Sequence, residues 1–220
     1  MKTKLLLAAI LIACSFTSFA QKDISKGSVM LGGSISFGSY SYKDSYFPEN
    51  KLKVFNVFPA AGLAVKKNLF LGLTAGFGFQ KGDYGISSIP DSNVFHVYNY
   101  GVFVRKYKPL KSNFYLFLQG NLGGYNSKRE LKDAAPGRIY YDKTQGINAS
   151  LTPGISYSIN SKLQLEAGFN DIIAIGYSKN DRRDNDYSGT QKSFNASTSL
   201  SNFNSALFIG FRLLLQKKEK

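Results

Sequence analysis

From Asn68 the chain reads NLFLGLTAGFGFQ, and its positions sort into two sets with a period of two. Leu69, Leu71, Leu73, Ala75, Phe77 and Phe79 form one set; Phe70, Gly72, Thr74, Gly76, Gly78 and Gln80 form the other. Successive side chains of a strand point to opposite faces, so this alternation predicts a β-strand with one apolar face and one small or polar face. The pattern recurs. Ile147, Ala149, Leu151, Pro153, Ile155 and Tyr157 oppose Asn148, Ser150, Thr152, Gly154, Ser156 and Ser158. Near the start Val29, Leu31, Ile35 and Phe37 oppose Met30, Gly32, Ser34, Ser36 and Gly38. At the end Leu207, Ile209, Phe211, Leu213 and Leu215 oppose Phe208, Gly210 and Arg212.

Gly76, Gly78 and Gly82 beside Lys81 have the look of a phosphate-binding loop. Such a loop needs a tight turn leading into a helix N-terminus whose N–H groups face the anion. Here the glycines alternate with large apolar residues and no helical period follows. They belong to the small face of a strand.

Eight alternating segments can be placed, near 28–40, 53–66, 68–81, 94–107, 113–125, 145–158, 162–178 and 203–215. Their connections alternate in length. Short ones fall at Lys67, at 108–112 and at 160–162; long polar ones fall near 41–52, 82–93, 126–144 and 179–202. Tilted strands of about 9–11 residues, even in number, with short turns at one end and long loops at the other, describe a transmembrane barrel. The small faces (Gly32, Ser34, Ser36; Ser150, Thr152, Ser156) would make a poor protein core but a workable lumen. The apolar faces suit lipid, and closure leaves no unpaired edge there. The expected fold is therefore all-β, a closed eight-stranded antiparallel up-and-down barrel.

The phrases AVKKNLFLGLTAGFGF, YGVFVRKYKPL, TPGISYSINSKLQLEAGF and ALFIGFRLLL together span most of the chain. On them, from Gly27 to Leu215, the chain resembles the small eight-stranded outer-membrane barrels of Gram-negative bacteria, the OmpA/OmpX-like and porin-family β-barrel domains. The resemblance implies residence in the outer membrane, insertion by the barrel-assembly machinery and both termini in the periplasm. Such barrels often end on an aromatic residue, whereas this chain runs on through QKKEK.

The first residues fit export. Lys2 and Lys4 precede an apolar run from Leu5 to Ala13, and Ser18-Phe19-Ala20 forms a small-residue cleavage site, so 1–20 reads as a signal peptide and 21–220 as the barrel. The one cysteine, Cys14, lies in that leader, within a Leu11-Ile12-Ala13-Cys14 box that also resembles a lipidation site. A cleaved chain would hold no disulfide and no thiolate metal site.

The net charge of +14 invites a nucleic-acid reading. Topology points elsewhere: most of the excess falls on the short-turn side, at Lys66, Lys67, Lys106, Lys108, Lys111, Lys162 and the C-terminal tail. That is a basic rim for inner-leaflet phosphates and solvent. No nucleic-acid partner is expected. In the long loops, Lys128-Arg129 and Arg182-Arg183 are candidate contacts for lipopolysaccharide phosphates.

Parity sends Arg105, Glu166 and Arg212 inward at similar depth, and charges in a narrow lumen must be paired. A Glu166–Arg212 contact with Arg105 nearby is expected, either as a plug or as a filter for a small ion. Asp171 falls on an apolar parity, which points to a bulge or to a strand clear of lipid. His96 is the only histidine, so sites built on several histidines are excluded; neither a metal, a cofactor nor catalysis is expected. Three roles remain at this stage: a structural or surface-interaction barrel acting through its outer loops, a narrow channel, or a soluble or lipidated periplasmic barrel holding an apolar ligand.

Overall fold

The computed structural model describes residues 23–42, 50–83, 92–110, 113–132, 139–183, 188–198 and 207–216. The leader, Cys14 and Lys111 lie outside them. The described residues form ten strands: β1 (Val29–Tyr42), β2 (Asn50–Lys66), β3 (Leu69–Asp83), β4 (Ser92–Pro109), β5 (Phe114–Lys132), β6 (Ile139–Ser158), β7 (Leu163–Phe169), β8 (Ile173–Arg183), β9 (Ser188–Thr198) and β10 (Leu207–Leu215). Every pairing is antiparallel. The ladders run from β1 through β2, β3, β4, β5 and β6 to β7, then to β10 and back to β1. That circuit is a closed barrel of eight staves, because β8 continues β7 along the same edge of β6 and β9 continues to pair with β8.

Turn chemistry places the short connections. Asn68 and Asn113 take left-handed conformations (φ 58° and 64°), which asparagine tolerates better than most residues. Asn160 Oδ1 accepts from the N–H groups of Lys162 and Leu163, closing the third turn.

Asp171 explains the break in the seventh stave. Gly168 pairs with Gly154, but Ile173 pairs with Leu151, so β7–β8 carries two residues more than β6 over this interval. Asp171 sits in that bulge with φ 50°. Two departures from the sequence reading follow. The 162–178 segment is two strands around a bulge, and 179–202 is not one loop: β8 runs on to Arg183 and β9 occupies 188–198. The 126–144 stretch likewise extends β5 and β6, paired as far as Lys132 and Ile139.

The outside is apolar. Ile35, Phe37, Leu73, Leu122, Ile147, Ile209 and Phe211 are exposed. Along β6 the outward positions stay apolar from Ile147 to Tyr157. At about 3.3 Å per residue and a tilt of about 40°, that run rises roughly 25 Å, the height of a lipid-facing band. Aromatic groups mark both margins: Phe114 against Tyr157 at the short-turn end (ring centroids 4.7 Å apart), and Phe77 against Tyr98 and His96 farther up.

The inside has two halves, and the lower one departs from the expected polar lumen. At the short-turn end Met30, Phe70, Phe103, Tyr107, Phe117 and Leu214 are buried together with Ile24. Glycine makes the space. A Cβ at Gly72 or Gly154 would overlap the ring of Phe103 or Phe117, so the small face seen in the sequence is the surface on which large inward rings lie. Residues 23–28 close the base: Gly27 N–H donates to the Ala64 carbonyl at 2.7 Å and Asn68 N–H to the Ile24 carbonyl at 3.0 Å.

Candidate functional site

Directly above the aromatic floor lies an ionic cluster drawn from β4, β7 and β10. Arg105 and Glu166 are buried (1% and 2% exposed) and Arg212 is nearly so. Arg105 Nη1 donates to Glu166 Oε1 at 2.5 Å, and Arg212 Nε donates to Oε2 at 2.9 Å. The Tyr107 hydroxyl also donates to Oε1 at 3.1 Å while accepting from Arg105 Nη1 at 3.0 Å. Arg105 Nε is taken by Gln119 at 2.7 Å, and its guanidinium lies 4.2 Å from the centre of the Phe117 ring. The structure thus brings together the three charged residues that parity placed inward. Tyr107, Gln119 and Phe117, which complete the setting, were not singled out in the sequence; inward parity on β4 and β5 was the available signal.

One carboxylate between two guanidinium groups leaves an excess positive charge. Low dielectric makes an unpaired ion costly, and this carboxylate accepts three hydrogen bonds. Gln119 continues the polar run upward, donating to Asn121 at 2.6 Å; Asn121 donates in turn to Ser150 and Thr152.

Above the cluster the barrel wall parts. The β1–β10 ladder holds only from Val29–Leu215 to Gly32–Arg212. At Gly33 the backbone turns to φ 144°, and a Cβ there would overlap the Phe58 carbonyl oxygen. From that point β1 stays with β2 while β10 stays with β7. The two edges bound a cavity of about 900 Å³ that reaches from Ile35 and Ile209 at the wall to Arg105, Gln119 and Glu166 at its floor.

The two basic pairs of the long connections come onto one sheet. Arg129 pairs with Asp142, which pairs with Arg182, in one row across β5, β6 and β8. Strand parity turns Arg129 and Arg182 to the inner side, where Arg129 lies over Phe95 and Arg182 is 3.8 Å from Asp142. Lys128 and Arg183 stand on the outer side. Lys128 is bonded to Glu130 at 2.6 Å and lies over Tyr141. The outer side also carries Lys143, Lys179 and Lys192, just above Ile147, Tyr177 and Phe194. His96 packs against the Phe77 and Phe79 rings on the outward face.

Among the described residues no group of three or more His, Cys, Asp or Glu side chains could hold a metal ion.

No family model matches the chain, and no curated protein matches it. Among solved structures it is similar to one described as the crystal structure of Neisserial surface protein A, with a TM-score of 0.38 and 14% identity over 84% of this chain and 95% of that one. The ladders themselves establish the fold: a closed eight-stranded antiparallel barrel, apolar on its outside.

Proposed function

We propose that the chain is an integral outer-membrane barrel, sealed at its periplasmic base, that carries a cationic interaction surface above the bilayer. The outward row Lys128, Lys143, Lys179, Arg183 and Lys192 carries this reading, because it stands immediately above the apolar band. Among the described residues, Glu130 and Asp181 offset it on the same side. Lysine at that height meets headgroup phosphates, as basic residues beside a membrane do. The partner class is the phosphate of lipopolysaccharide in the outer leaflet.

The other two readings have less support. A channel must pass water, yet Met30, Phe70, Phe103, Arg105 and Tyr107 are all buried at the base. A soluble barrel would hide its apolar side chains, and here they cover the outside.

The test is retention of lipopolysaccharide through detergent purification. Lys128→Gln, Lys143→Gln, Lys179→Gln and Lys192→Gln combined are expected to lose most of it, while inward Arg182→Gln retains it. Equal retention by both would reject the outer row as the contact surface. Unboiled protein that migrates with the boiled band would reject the membrane barrel itself.

A further inference from the structure

Continued at the same register, the β1–β10 ladder would set Gly33 opposite Phe211, Ser34 opposite Gly210 and Ile35 opposite Ile209. None of these pairs forms among the described residues. Two strand edges therefore face each other across a cleft, at a height where the barrel exterior is apolar. Free backbone N–H and C=O groups are costly in hydrocarbon unless something polar lies against them.

The cleft joins two environments. Its lips are Ile35, Ile209 and Phe211, exposed by 71%, 72% and 62% and continuous with the lipid-facing surface. Its floor is the ionic cluster. There Arg212 gives only Nε to Glu166, and its two terminal nitrogens form no hydrogen bond with another described residue. Nη1 lies over Gly32, where a Cβ would stand 2.9 Å from it. A guanidinium edge presents paired donors that match a carboxylate. Arg105 and Arg212 against Glu166 leave one positive charge, which a singly charged head would balance. Asp171 also lines the cavity, but from the bulge, roughly 20 Å up the wall from Arg212 at strand rise. The volume lies within the range of about 300–1,000 Å³ seen for small-molecule sites.

We propose that this cleft is a lateral binding site for a single-chain amphiphile with a carboxylate head, taken from the surrounding lipid. The head sits on Arg212 and the alkyl chain leaves between Ile35 and Ile209. The site lies in the wall of the barrel, away from the lysine row, and rests on the membrane placement proposed above.

The chain contains no tryptophan, so Phe211→Trp supplies a single reporter on the lip. The refolded full-length barrel in detergent is titrated with hexadecanoate brominated along its chain, and fluorescence quenching is followed. Saturable quenching is expected, with brominated hexadecanol much weaker. Arg212→Gln should weaken the carboxylate by about tenfold, as expected for loss of one charge-assisted contact. Gly210→Leu should abolish binding, because a Cβ at Gly210 meets nothing within 4 Å and the added side chain fills the cavity. Each variant is first shown to be folded by the mobility of its unboiled band, which keeps failure to bind separate from failure to form the barrel. Equal quenching by the alcohol would overturn the proposal, since the lips would then be dissolving chains without a head site. Binding unaffected by Gly210→Leu would place the chain outside the cleft and overturn it too. Hexadecyl phosphate bound as tightly as the carboxylate would overturn the single-charge assignment.

Discussion

Arg105 and Glu166, from opposite sides of the barrel and 61 residues apart in sequence, meet as a buried ion pair at 2.5 Å on top of an aromatic floor. Their burial means neither charge can turn to water if the other is lost. Glu166→Gln should therefore destabilise the barrel by about 3–5 kcal/mol, because two guanidinium groups are left facing each other. Urea unfolding in lipid vesicles measures this. Asp181→Asn, which disturbs the half-exposed Lys179 pair, should barely move the same midpoint, because water screens both partners. Equal effects would mean that the cluster is wetter than its packing indicates.

Leu122 and Asn121 are neighbours on β5 that face opposite ways. Leu122 is 58% exposed on the outside, and Asn121 lines the cavity. Leu122→Arg should cost about 2–4 kcal/mol in a bilayer, whereas Asn121→Lys, with its ammonium in a polar lumen, should cost much less. Both are read from unfolding in vesicles. Similar values for the pair would invert the assignment of faces.

The extent to which the sequence foretold this arrangement follows from where contrast exists. Within the bilayer a strand separates lipid from lumen, so β3 and β6 alternate clearly and parity sends Arg105, Glu166 and Arg212 to the same interior. Toward the long-loop end both faces meet water, and the period fades: β9, SGTQKSFNAST, offers only Phe194 and Ala196 as apolar positions and reads as loop. The aromatic floor was hidden for another reason. Phe70 and Phe103 lie on inward positions beside glycines, and only cross-strand register shows that the rings fill what the glycines vacate. The cleft is further still from local pattern, since it depends on the backbone at Gly33 meeting Phe58 on the next strand.

Gly33 should tolerate no side chain. Its φ of 144° disfavours any L-residue, and the Phe58 carbonyl occupies the Cβ position. Gly33→Ala should destabilise the barrel by about 1–3 kcal/mol, the usual cost of a strained backbone position. Gly210→Ala, across the cleft in open space, should stay within about 0.5 kcal/mol of the parent. Thermal shifts in the unboiled band compare the two. A harmless Gly33→Ala would mean that β1 can rejoin β10 and close the wall.

The base should loosen in acid. Asp23 accepts from Lys67 Nζ at 2.5 Å and from Asn68 Nδ2 at 2.6 Å, while Asn68 Oδ1 accepts from the Ile24 N–H at 2.7 Å. The Lys67 hydrogen bond, outweighing slight burial, holds the Asp23 carboxyl below its ordinary value of 3.8. A carboxyl depressed in the folded state binds fewer protons there than in the unfolded chain. Its stabilising contribution is therefore fully present above that ordinary value and is lost as pH falls through the lower folded one. Hydrogen exchange at Ile24 N–H, corrected for the intrinsic pH dependence, should show protection that declines in that acid window. Asp23→Asn should remove the decline, leaving lower protection at neutral pH and little change on acidification. Added salt should weaken the effect, since Lys67 is largely exposed and its charge is screened. A parent protein whose protection stays level through the window would show that the 23–28 segment is held by its backbone bonds to Ala64 and Asn68 alone.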